Sequence, residues 1–148
     1  MRSGRLGRRA AIAALAALLL AASGCGDLSR DELNRGVESL GALAAQGELV
    51  ASGVARDATK STYVRVMAET LGGQAEHEAE KLADAEPSAE VREERDAAVR
   101  IAGELGELFS QLRTFPGDEH HGALVEKHMG EVKEQADAVD ARLTGEAP

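Results

Sequence analysis

Apolar residues recur at helical spacing in four stretches of the chain. From Leu33 they follow at Val37, Leu40 and Ala44, intervals of four, three and four that lay one face of a helix. Ser29-Arg30-Asp31-Glu32 precedes this run and has the form of a capping box, in which the serine accepts from an amide three residues on and Glu32 reaches back. The pattern predicts a helix over 29–46 that stops at Gly47. A second and longer segment, 48–85, opens with Leu49, Val50 and Val54. It continues with a stripe of Tyr63, Met67, Leu71, Ala75 and Leu82, with Val64 and Val66 beside it. The Gly72-Gly73 pair predicts a kink or break, since each glycine costs about 1 kcal/mol against alanine in a helix.

Pro87 ends the second segment and opens a third, over 88–114, with the longest clean stripe: Val91, Ala98, Ile101 or Ala102, Leu105, Leu108 and Leu112, flanked by Phe109. Phe115-Pro116-Gly117-Asp118 is a turn by its chemistry, and Asp118 is the expected cap of a last helix over 118–144. Val125, Met129, Val132, Ala136, Val139 and Leu143 form the face of that helix. No run alternates with period two, so no strand is expected. Four amphipathic segments with short joints predict an all-α fold, an antiparallel up-and-down bundle of about four helices.

The first 25 residues follow different rules. Arg2, Arg5, Arg8 and Arg9 come with no acid, Ala10 to Ala22 carries no charge, and small residues then lead to Cys25. A basic end, an apolar middle and a small-residue site make a secretory signal. Thirteen helical residues cover about 20 Å, short of the roughly 30 Å hydrocarbon core of a bilayer. Cys25 is the only cysteine, so it has no internal disulfide partner. Ala22-Ser23-Gly24-Cys25 resembles the lipobox of bacterial lipoproteins, with Ala22 in the place where that motif prefers leucine. The resemblance covers only residues 1–26. It implies that a signal peptide over 1–24 is removed and that Cys25 receives a diacylglycerol. It implies further that the remaining chain is held at the outer face of the cell membrane, or at an outer membrane where the host has one. Residues 25–28 would be the tether and 29–148 the domain.

Composition sharpens what that domain can meet. Residues 1–24 hold four of the 17 basic residues and none of the 26 acidic ones, leaving 13 against 26 and a net charge of −13. Such a charge argues against nucleic acid and against adsorption on anionic lipid. With one tyrosine, two phenylalanines and much alanine and glycine, the core is expected to be thin and the helices closely spaced.

No catalytic motif stands in the sequence, so no catalytic residue is assigned and the chain is not expected to be an enzyme. The histidines hold the remaining chemistry. His77 and Glu80, three apart, share a helix face, and His128 with Glu131 repeats the spacing. Facing inward from neighbouring helices, the four would offer imidazole and carboxylate to zinc or iron. The di-iron carboxylate bundles use the reverse order, Glu-x-x-His, with glutamates from two further helices. No matching glutamates stand on the other apolar faces here. Sequence therefore leads to a non-enzymatic envelope lipoprotein that binds a protein partner. The alternative is a helical bundle that binds or senses a divalent metal through His77, Glu80, His128 and Glu131.

Overall fold

The computed structural model describes residues 28–146, and these form four helices: α1 Arg30–Ala55, α2 Ser61–Asp84, α3 Arg92–Thr114 and α4 Glu119–Thr144. Neighbours in sequence run antiparallel, and α4 closes the ring by packing along the whole of α1. The described residues contain no strand, only a lone parallel bridge between Leu28 and Pro87.

Local chemistry sets most helix ends. Ser29 and Glu32 form the expected capping box: the Glu32 amide donates to the Ser29 hydroxyl at 3.3 Å, and the Ser29 amide to Glu32 Oε2 at 3.1 Å. The Ser29 hydroxyl also donates to Glu32 Oε2 at 2.7 Å, and this bond first, then the Ser29 amide's, holds the Glu32 carboxyl below its usual range. Asp118 caps α4 as expected, accepting from the His121 amide at 2.8 Å. At the other end of α4, Gly145 adopts the left-handed conformation, with φ +77°.

Three helix boundaries and one expected break differ from the sequence reading. The first helix does not stop at Gly47; it runs on to Ala55, and the second begins at Ser61. Gly47 is buried because a side chain there would collide: a Cβ would lie 2.8 Å from Met129 Sδ and 2.9 Å from Phe109 Cε1. It is a packing glycine, not a terminator. The chain turns instead at Asp57, whose φ of +50° breaks the helix. The Asp57 amide donates to Val54 O at 3.0 Å and the Ala58 amide to Gly53 O at 2.9 Å, the paired bonds of a Schellman stop. Gly53 is needed there, because the Thr59 side chain folds into the space a Cβ would take. Likewise α2 is continuous through Gly72-Gly73. It packs there against α3, with a Gly72 Cβ position only 3.3 Å from Phe109 Cβ. The mismatch in helix lengths inferred from sequence thus disappears, since α1 to α4 have 26, 24, 23 and 26 residues. The third helix starts at Arg92, four residues later than expected. Residues 85–91 form an extended and turned connection, tied to Leu28 by its amide bond to Glu86 O at 2.7 Å.

The stripes of α1, α3 and α4 are buried as read, with Leu33, Leu40, Leu105, Val125 and Met129 wholly covered. Phe109 sits at the centre of the core, not on its flank. On α2 the buried face is Val64, Ala68, Leu71, Ala75 and Leu82. Tyr63 and Val66 point outward, as does Leu49 on α1. The wide apolar choice at the start of α2 left the stripe ambiguous; packing on α3 selects Val64 and Ala68, small enough for the two helices to meet.

Candidate functional site

The proposed ligand residues lie on α2 and α4, and these two helices occupy opposite corners of the ring and make no contact. His77 lines a cleft of about 490 Å³ between α1 and α2, with Ser39, Thr70, Gln74 and Glu78. His128 and Glu131 line another, of about 210 Å³, between α3 and α4. Glu80 is exposed and borders neither cleft. Heights differ too: His77 lies 16 residues into α2 and His128 nine into the parallel α4, roughly 10 Å apart along the axis. Zinc ligands must converge at about 2.0–2.2 Å from one ion. The structure does not bring the four residues together, and no group of three His, Cys, Asp or Glu side chains able to hold a metal occurs among the described residues. Both histidines are exposed.

The α3–α4 cleft has a feature that the sequence did not single out. Glu104 and Glu107 of α3 border it opposite His128 and Glu131. Glu131 is paired with Lys127 at 3.5 Å, and Glu104 accepts from Gln135 Nε2 at 3.4 Å, so two of these carboxylates already have partners.

A further polar constellation stands at the α3–α4 turn. The His121 ring stacks on Phe115, with centroids 4.1 Å apart and planes at 20°. Its Nδ1 lies 3.2 Å from the same Asp118 oxygen that caps the helix. The His121 amide, and after it the His121 side chain, hold the Asp118 carboxyl below the usual carboxylate range. A Gly117 Cβ would come within 2.8 Å of Ser61 Oγ, so the turn lies against the start of α2.

Ala22, Ser23, Gly24 and Cys25 lie outside the described residues. The described chain begins at Leu28, which is buried and hydrogen-bonded to the α2–α3 connection. Leu28 therefore lies at the end of the bundle that holds the α2–α3 connection and the C-terminus of α4; the α1–α2 and α3–α4 connections lie at the other. No helix among the described residues is long and apolar enough to cross a membrane. No protein-family model, curated protein or solved structure matches this chain.

Proposed function

We propose that this protein is an extracytoplasmic lipoprotein, held to the cell membrane through a lipid on Cys25, whose helical domain works by binding another envelope protein and not by catalysis. The observation that carries the reading is the placement of the sole cysteine directly after Ala22-Ser23-Gly24, at the end of a basic-then-apolar leader. Supporting it, only two residues separate Cys25 from Leu28, where the bundle begins. Two acyl chains hold a protein stably at a bilayer where one holds it marginally.

The test is made in the native host. The intact protein should partition into the detergent phase and carry a lipid mass on an N-terminal Cys25, and Cys25→Ser should lose both. Soluble, unmodified protein beginning upstream of Cys25 would refute the reading.

A further inference from the structure

The exposed large apolar side chains are not scattered. Leu49, Tyr63, Val66, Phe115 and Leu124 are between 42% and 74% exposed, and they are the only large hydrophobic side chains so exposed among the described residues. All five lie at the end of the bundle remote from Leu28: on the last turns of α1, the first turns of α2 and α4, and the α3–α4 turn. Leu49 is the furthest in, six residues or about 9 Å from the end of α1. Soluble domains bear single exposed hydrophobics anywhere; their gathering at one end is the informative feature.

Charge divides the molecule the same way. Residues 49–66 and 113–124 hold four cations, Arg56, Lys60, Arg65 and Arg113, against Asp57, Asp118 and Glu119, a net charge of +1. The rest of the described chain holds nine cations against 22 carboxylates, a net charge of −13. Every lysine or arginine ion pair lies outside this end: Lys81, Arg95, Lys127, Lys133 and Arg142 have carboxylate partners, and none of the four far-end cations has one among the described residues. Of the three far-end acids, Asp118 is engaged in capping α4. Unpaired arginines among exposed aromatic and aliphatic side chains are the composition of a protein-binding centre.

Resting on the binding-module reading above, we infer that this far end is the docking surface, and that its occupant is an acidic, amphipathic segment of a partner protein. Acidic residues of the partner meet Arg56, Lys60, Arg65 and Arg113, while its apolar face covers Tyr63, Phe115 and Leu124. Charge complementarity selects this occupant. A second copy is a poor fit end to end, since both surfaces would bring the same unpaired cations. The far end lies about 40 Å along α1 from the Leu28 end, so a bundle standing on the Leu28 end keeps it away from the anchoring bilayer.

The test is site-specific photocrosslinking of the full chain in its native host. Benzoylphenylalanine is placed at Tyr63, at Phe115 or, as a control on the acidic flank, at Gly103, which has open space around it. The expected result is a protein adduct from positions 63 and 115 and none from 103, with the crosslinked peptide of the partner rich in Asp, Glu and apolar residues. Combining Arg56→Glu, Lys60→Glu and Arg113→Glu should lower the adduct at least tenfold while leaving the thermal melt in place. Adducts from position 103 alone would overturn this surface but leave a binding function elsewhere on the domain. No protein adduct from any position would overturn the surface and the binding reading together. An adduct with a second copy, with lipid or with a basic segment, or one indifferent to the charge reversals, would overturn the stated partner. Lipid mass on Cys25, read in the same samples, reports separately on the anchor.

Discussion

The α1–α4 and α1–α2 seams share one helix and differ in almost everything else. Along α1–α4 the backbones approach until glycine is required: a Cβ at Gly122 would stand 2.7 Å from the Ala55 amide nitrogen and 2.9 Å from Val54 Cβ, and Gly41 faces Ala136 at 3.8 Å. Gly47 adds the pocket that receives Met129 and the edge of Phe109. Along α1–α2 contact concentrates towards Leu82, which fills the space in front of Gly36 at 3.3 Å, and then opens into the polar cleft of Ser39, Gln74 and His77. Gly73 borders that cleft with nothing near its missing side chain. Glycine therefore means close packing all along the first seam, but in the second only at Gly36; at Gly73 it means lost helix propensity alone. A chain with few aromatics gains stability where small residues let helices meet, since dispersion falls off steeply with any gap.

Three substitutions distinguish the two seams, and a fourth prediction concerns the helix caps. Gly122→Leu should have the largest effect. Its first side-chain carbon meets α1 backbone, which cannot move aside, and the loss should reach or exceed the upper end of the usual overpacking cost, about 3 kcal/mol. Urea denaturation measures it, and a midpoint near wild type would show that the α1–α4 seam is looser than described. Gly47→Ala should cost less, about 1 kcal/mol, because the atoms in the way are the ends of Met129 and Phe109, although both residues are buried and have little room.

The same change at Gly73 should have the opposite sign. With open space around it, Gly73→Ala should stabilise by about 0.5–1 kcal/mol through helix propensity alone. Equal shifts in melting temperature for Gly47→Ala and Gly73→Ala would erase the distinction between the seams.

The smallest effect concerns pH and the helix starts. Glu32 and Asp118 have carboxyls held below their ordinary values by their capping bonds. A depressed carboxylate contributes stability that is complete above its unfolded pKa and is lost as pH falls through the lower folded value. The contribution should therefore be flat from neutrality to about pH 4 and decline below it. Lys133 is raised by its hydrogen bond to Asp137, so its contribution is present below its ordinary pKa of 10.5 and lost as pH rises through the folded value. Asp118→Ala should flatten the acid limb at α4, read as amide exchange in its first turn. An unchanged exchange profile would show that the cap is dispensable.

Much of this architecture was legible in the chain itself. The stripes of α1, α3 and α4, the Ser29–Glu32 box and the Asp118 cap are short-range features, each set by residues three or four apart that meet on one turn of helix. Helix type, number and three of the four buried faces follow from them. Tertiary structure alone decided what depends on distant neighbours. Gly47 reads as a stop until Met129 and Phe109 occupy the space before it, and Gly72-Gly73 reads as a break until α3 lies alongside. The real end of α1 depends on Asp57 entering the left-handed region, which no local pattern announces. Ring order placed α2 and α4 on a diagonal and separated His77 and Glu80 from His128 and Glu131, although spacing had given each pair a common face. The far-end surface was hidden for the same reason. Tyr63 looks like core in a one-dimensional pattern, and only the packing of Val64 and Ala68 turns it, with Val66, toward solvent.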